Sequence, residues 1–311
     1  MVKIKIECWW TDVSSIHNRF IRQFVPPSDL ENYSFVNENQ DFTIVLGRTE
    51  WDKISTPKDR TFYFSQEPLW SPNQPKDDIH NYCSKIFISD KRDYPDRDEY
   101  IETLLPMLYS GRGEMDNRKE WDWSYDIKNI RYSKSKPISI IVRKDYSSYY
   151  DRFVNPVTSK INYKPRTDLG IELSNNKDID VFGTYWENNG ENIKGEIWNK
   201  HIGLDDYRFS IGCENSIQKN YVSEKFWDII LTEGVPIYLG CTNIKDYVPS
   251  ECFISLNDLS MFDMVSKIEF IQKHEMDIYN EKIKYVLELK DDFFRNPNYN
   301  LWERIKKEIS E

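Results

Sequence analysis

The chain reads as an α/β protein built on parallel sheets. Three observations predict this. Residues 207–240 form a strand, helix, strand unit in which two apolar runs flank an amphipathic stretch, and a unit of that length crosses over right-handed into a parallel pair. The other strand candidates, the first of them alternating apolar and polar residues, are separated by polar segments that could hold helices, an α/β rhythm. At 311 residues the chain also exceeds what one core serves, so two domains are the expectation.

In order along the chain, strands are predicted at residues 3–7, 43–46, 61–65 and 85–89, with a helix at 14–23 in the first interval. Residues 111–136 are rich in charge, Asn, Asp and Ser, with isolated aromatics, and read as an interdomain linker. A new set of strands follows at 138–142, 178–182, 208–213, 235–240 and 253–256. Between the third and fourth of these lie a nine-residue polar loop, 214–222, and a helix at about 223–233 closed by Gly234. The chain then turns helical from 261 to about 293, with apolar residues at helical spacing, and ends in a helix at 302–309. The expected domains are 1–125, 136–290 and a C-terminal helix, 291–311, packing back on the first.

The loop and helix start at 214–225 carry the chemistry. In a parallel sheet, ligands sit where the loop leaves the carboxyl end of a strand, because the first N–H groups of the next helix have no intrahelical partner and carry partial positive charge. Asn215, Tyr221, Glu224 and Lys225 cluster there, and a cation with hydrogen-bonding groups at a helix N-terminus makes an anion site. Singly they are ordinary: Glu224 and Lys225 read as solvated helix residues, Tyr221 as a packing residue at the helix entry, Asn215 as a turn residue.

Together, ENSIQKNYVSEKFWD at 214–228, VPIYLG at 235–240 and DYVPSECFISLNDL at 246–259 resemble the donor-binding signature of the α-1,3/4-fucosyltransferases, glycosyltransferase family 10. The family pattern begins Glu-Asn-(Ser/Thr), continues Tyr-(Val/Ile)-(Ser/Thr)-Glu-Lys, and ends in a strand and a Pro-x-x-x-Phe-(Ile/Val) segment. Here these fall on Glu214–Ser216, Tyr221–Lys225, Val235–Ile237 and Pro249–Ile254. The resemblance implies a GT-B fold, two Rossmann-like lobes facing each other across a cleft. It further implies an inverting transferase that moves L-fucose from GDP-fucose to a glycan hydroxyl. By the same resemblance Asn215, Tyr221, Glu224 and Lys225 bind the donor. A weaker upstream similarity, an arginine helix before a DIDVFG strand end, adds Arg166 as a diphosphate ligand with Arg143 as fallback. In FYFSQEP, at 62–68, Glu67 is the implied general base, and as an isolated residue it is equally an exposed turn glutamate. The same scaffold with another nucleotide sugar, and a non-catalytic nucleotide-sugar binder, stay open as alternatives.

Composition excludes other classes. A net charge of −10, with 42 basic residues among 52 acidic ones, gives no basic face for nucleic acid. The five cysteines are dispersed, with no CxxC and no histidines at zinc spacing, and read as reduced thiols rather than a disulfide frame or metal site. Asp178-Ile179-Asp180 has the letters of a metal-binding DxD, but the strand alternates their faces. No metal or other cofactor is expected, and the partners are a nucleotide sugar and a glycan. With no leader and no apolar run of about eighteen residues, the expectation is a soluble, cytoplasmic protein without integral membrane contact.

Overall fold

A computed structural model describes residues 1–8, 12–47, 49–65, 79–104, 124–144, 160–161, 163–197 and 199–311. The strands in chain order are β1 (Val2–Cys8), β2 (Tyr33–Phe35), β3 (Phe42–Leu46), β4 (Thr61–Phe64), β5 (Lys85–Ile88), β6 (Tyr100–Glu102), β7 (Lys136–Ile141), β8 (Lys160–Ile161), β9 (Ile179–Phe182), β10 (Ile193–Gly195), β11 (Tyr207–Cys213), β12 (Ser216–Ile217), β13 (Val235–Leu239) and β14 (Ile254–Ser255). They build one sheet in the order β2-β1-β3-β4-β5-β6 and a second in the order β10-β9-β7-β11-β13-β14. Every pairing within both sheets is parallel. The central strands β4 and β13 are buried at every residue, which is why they read as unbroken apolar runs. The nine strands expected from sequence appear within a residue or two of their expected bounds, the last of them, β14, reduced to two residues. The edge strands β2, β6 and β10 and the small antiparallel pair β8–β12, two or three residues each, carry too little pattern to be seen in advance.

The helices are α1 (Val13–Phe24), α2 (Tyr163–Ser174), α3 (His201–Leu204), α4 (Glu224–Leu231), α5 (Met261–Lys273), α6 (Glu275–Phe293) and α7 (Leu301–Ser310). Asp12 caps α1 by accepting from the Ser15 backbone N–H at 3.0 Å and hydroxyl at 2.6 Å, and Ile16, Phe20 and Phe24, one turn apart, bury its inner face. Helix α7 closes the same sheet. Its Trp302 is fully buried, meets Tyr33 edge-on with ring centroids 4.9 Å apart, and donates from Nε1 to Asp29 at 2.7 Å. The helix expected over 261–293 is two helices that meet at His274. Met264, Ile268 and Ile271 of α5 are buried toward α2, whereas Val286, Leu289 and Phe293 of α6 are buried against α4 and the sheet. One straight rod could not seat both stripes.

His17 sits inside α1 with its Nε2 accepting from the Ile6 backbone N–H of β1 at 2.9 Å, so the ring is neutral there. Burial, with Lys5 nearby, holds its pKa down to about 4. The unfolded chain takes up this proton near pH 6.5. Stability supplied by the neutral ring is therefore complete above pH 6.5 and is lost as pH falls from 6.5 toward 4. The expected loss is on the order of 3 kcal/mol over that window. Denaturant titrations of wild type and His17→Gln should diverge there, and parallel curves would refute the assignment.

Helix α4 ends in a Schellman motif, with Glu233 N–H bonded to Ile230 O at 2.9 Å and Gly234 N–H to Ile229 O at 2.8 Å. The left-handed residue is Glu233, at φ 64°, and not the glycine after it. The exception has a cause: the Glu233 carboxylate is buried and accepts from Lys290 at 3.0 Å, Arg131 at 2.9 Å and the Tyr132 N–H at 3.0 Å. The charged stretch read as a linker lies outside the described residues as far as 123. Beyond that it is packed: Tyr125–Asn129 form a 3₁₀ turn with Ile127 buried and Tyr125 edge-on to Phe294 at 5.1 Å.

Candidate functional site

The second sheet changes direction between β7 and β11. From β7 the chain crosses by α2 to β9 on one side, and from β11 it crosses by α4 to β13 on the other. At such a switch point the two crossover helices lie on opposite faces and leave a crevice at the strand ends. A cavity of about 300 Å³ lies there, lined by residues of β7, α2, α3, β11 and α4.

Two glycines let the elements around it pack closely, and Gly212 lines it. A Cβ on Gly212 would lie 2.4 Å from the Lys225 carbonyl, and one on Gly240 would lie 2.4 Å from Glu214 Cγ. Without side chains there, the first turn of α4 rests directly on β11 and Glu214 tucks beneath it. The Glu214 carboxylate is fully buried. It accepts from the Ser223 N–H at 2.7 Å, the Ser223 hydroxyl at 2.5 Å and Tyr238 OH at 3.2 Å. Burial pushes Glu214 above the usual carboxylate range, although Lys225 pulls the other way. Ser223 in turn caps α4 through the Lys225 N–H. The helix start is thus fixed from behind by a buried acid, and its front faces the cavity.

On that front, Arg143, Arg166, Lys200 and Lys225 stand against the carboxylates of Glu224 and Asp228. Arg166, 7% exposed, donates from Nη1 to Asn215 Oδ1. Thr167, beside it on α2, donates to the Arg143 carbonyl at 3.2 Å and ties α2 to the end of β7. Lys225 Nζ lies 2.8 Å from Glu224 Oε1 and 3.2 Å from Ser223 Oγ. Lys200 Nζ bonds Asp228 Oδ2 at 2.7 Å and reaches Glu224 at 3.8 Å. Burial raises Glu224, but Lys225 and Lys200 outweigh it and hold it near 2. Asp228 has less compensation, and burial lifts it to about 6. An excess of fixed cations beside a helix N-terminus suits a dianion such as a diphosphate.

Of the residues picked from sequence, Arg166, Asn215, Glu224 and Lys225 meet on this cavity, joined by the fallback Arg143. Tyr221 does not line it and is 3% exposed. The expected polar loop at 214–222 is mostly buried because it docks on the first lobe. Gln218 donates to Ser89 Oγ at 3.1 Å, Asn220 to Ser89 O at 2.9 Å, and Lys219 pairs with Glu102 at 2.6 Å. Tyr221 follows this buried bridge inward. Glu67 lies outside the described residues. Lys200 and Asp228 were missed. Asp228 had left a signal, a lone acid in the apolar run FWDIIL one turn after Glu224; Lys200, in a short helix entry, left none.

Asp178 is exposed, and Asp180 accepts from Tyr207 OH at 2.5 Å, so the two do not converge. Among the described residues no group of three or more His, Cys, Asp or Glu side chains could hold a metal. Cys83, Cys213, Cys241 and Cys252 are buried, and burial pushes Cys213 and Cys252 up to about 12. No helix among the described residues is long and apolar enough to cross a membrane.

Comparison with known proteins supports the family resemblance. Residues 150–291 match the family model "Glycosyltransferase family 10 (fucosyltransferase) C-term". The α-(1,3)-fucosyltransferase FucT of Helicobacter pylori is 27% identical over 317 residues, covering 96% of this chain and 63% of that one. The chain therefore spans less than two thirds of that relative's length. Among solved structures, an α1,3-fucosyltransferase superposes with TM-score 0.56 at 16% identity over 99% of this chain and 88% of the other. An α1,3-fucosyltransferase with GDP-fucose gives 0.52 at 17% over 91% and 81%. These likenesses bear out the two-lobed GT-B fold, and the enzyme class that goes with the family is that of glycosyltransferases.

Proposed function

We propose, on the match of residues 150–291 to the family 10 glycosyltransferases, that this chain is an inverting transferase that carries L-fucose from GDP-fucose to a glycan hydroxyl. The observation that carries the proposal is the cavity at the switch point, where Arg143, Arg166 and Lys225 surround the start of α4. A diphosphate fits that charge. The solved relative with GDP-fucose supports this donor over others.

In the proposed reaction Arg166 and Lys225, helped by the partial positive charge at the start of α4, hold the diphosphate, and Asn215 is kept in place by Arg166. Glu67, supplied by the first lobe, removes the proton of the acceptor hydroxyl. The acceptor oxygen then attacks the fucose anomeric carbon on the face opposite GDP. That C–O bond breaks as the new one forms, and its electron pair leaves on the β-phosphate oxygen, where the cations neutralise the growing charge. Glu224, ionised beside Lys225 and Lys200, is placed for sugar or ribose hydroxyls or for the positive charge that develops on the ring. A single displacement inverts the anomeric centre.

Side-chain cations fill the role a metal would have, so turnover is expected to survive chelation with EDTA; loss of activity restored by Mn²⁺ or Mg²⁺ would overturn that part. The central test is incubation with GDP-fucose and a glycan array, with a mass increase of one deoxyhexose as the expected result. A thermal-shift panel separates the alternatives, since GDP-fucose should stabilise the chain more than GDP, and UDP- or dTDP-sugars should not. Donor binding with neither transfer nor hydrolysis would favour a binding protein. The buried thiols of Cys83, Cys213, Cys241 and Cys252 support a reducing compartment, the cytoplasm, as the place of action.

A further inference from the structure

The loop that leads into α4 is bonded to both lobes, and one buried side chain joins them. Asn220 is 2% exposed, and its amide is engaged at both ends. Nδ2 donates to the Ser89 carbonyl of the first lobe at 2.9 Å and lies 3.4 Å from Glu102 Oε1. Oδ1 accepts from Asn243 Nδ2 at 2.9 Å and from Tyr247 OH at 2.7 Å, both in the donor lobe. The Asn220 backbone N–H donates to Asn243 Oδ1 at 2.8 Å. This backbone is left-handed, at φ 54°, a conformation that asparagine tolerates better than most residues with a Cβ. Gln218 adds a bond to Ser89 Oγ at 3.1 Å. Lys219 pairs with Glu102 at 2.6 Å, but those side chains are 39% and 27% exposed, and so wet a pair contributes little. Asn220 carries the dry part of the joint.

What stands beside each end of the joint gives it a role. In the first sheet β4 and β5 run in register, with Phe64 opposite Phe87, and the Ser65 N–H donates to the Phe87 carbonyl at 3.0 Å. Ser89, two residues past Phe87, therefore marks the sheet edge at which the chain leaves β4, and Glu67 follows two residues after Ser65. In the donor lobe Asn220 is three residues before Ser223, whose N–H and hydroxyl are held by Glu214 at the start of α4. We infer that Asn220 is a positioning residue for transfer, fixing the start of α4 against the edge of the first lobe that hands over to the acceptor-side base. The inference rests on the transferase reading above. A single displacement needs base, acceptor oxygen and anomeric carbon aligned across both lobes, and a misplacement of about 1 Å costs on the order of 100-fold in rate. The donor cavity is lined by the second lobe alone, so donor binding does not need that alignment.

Asn220→Asp and Asn220→Gly in the full chain test this. Aspartate is isosteric and keeps an acceptor for Asn243 and Tyr247, but it sets an oxygen where the donor to Ser89 stood. Glycine removes the side chain and suits the left-handed backbone, so it serves where the aspartate variant does not fold. The readouts are calorimetric titration with GDP, the rate of fucose transfer from GDP-fucose on the glycan array, and the melting temperature. Each folded variant should bind GDP within about twofold of wild type, while kcat for transfer falls about tenfold or more at an unchanged KM for GDP-fucose. Transfer at the wild-type rate in a folded variant, or a parallel loss of GDP affinity and turnover, would overturn the inference and leave the donor site standing. Loss of the folded state in both variants would overturn it as well, since Asn220 would then hold the fold and not the alignment. A wild type that transfers no fucose would instead remove the transferase reading, and this inference with it.

Discussion

Lys225→Ala is expected to lower the turnover number of the proposed fucosyl transfer by roughly 30- to 1,000-fold, about 2–4 kcal/mol of transition-state stabilisation. The lysine sits at the second residue of α4 with its ammonium 2.8 Å from Glu224 and 3.8 Å from the buried Glu214. It is thus held at the cavity wall before any ligand arrives, and a preorganised charge costs no reorganisation at the moment of reaction. The charge it opposes grows only as the bond to GDP breaks, so the loss should fall on kcat more than on KM. Lys225→Arg restores a cation at the same wall and should recover part of the rate. Circular dichroism checks that the fold persists, because the alanine also takes a counter-ion from Glu224. An alanine variant that is folded and turns over at the wild-type rate would remove Lys225 from the site.

Glu233→Gln is expected to destabilise the donor lobe by about 3–5 kcal/mol. Lys290, fully buried, donates to Ile130 O at 2.7 Å and to Glu233 at 3.0 Å. Burial lowers its pKa below that of a free lysine, with Glu233 opposing the shift. Without the carboxylate, an ammonium is left in the interior with no anion beside it. The melting temperature should fall on the order of 5–15 °C. The double variant Glu233→Gln/Lys290→Met should be more stable than Glu233→Gln alone, since it removes the stranded charge as well. Glu233→Gly gives the sharper contrast. Glycine suits the left-handed position at the end of α4, yet the carboxylate lost is worth more, so this variant should also be destabilised. A gain in stability would show that the three-donor anchor contributes little.

Much of this architecture was open to the sequence. A strand such as β13 is apolar at every residue because both faces are covered, and that pattern is written locally. The start of α4 was equally plain, because Ser223 is a capping residue followed by Glu224, the kind of acid that a helix N-terminus favours. Two local rules gave wrong details for identifiable reasons. Gly234 read as the left-handed residue at the helix end, but Glu233 takes that position because distant Lys290 and Arg131 hold its side chain. The segment 214–222 read as a polar loop at the ligand end of the sheet, but the side-chain amides of Gln218 and Asn220 are bonded to Ser89 of the other lobe.

Sequence by itself therefore determined the parallel α/β architecture, the place where a strand hands over to a helix with a cation at its first turn, and the family resemblance that goes with it. Those features follow from contacts within one element or between neighbours in the chain, and residue type and spacing encode them directly. Tertiary structure alone decided which side chains share the cavity. It drew Lys200 to Asp228 across 28 residues, set Arg166 beside Asn215 across 49, and turned Tyr221 away from the wall. Such meetings depend on how α2, α3 and α4 settle on a twisted sheet, and no short stretch of residues specifies that.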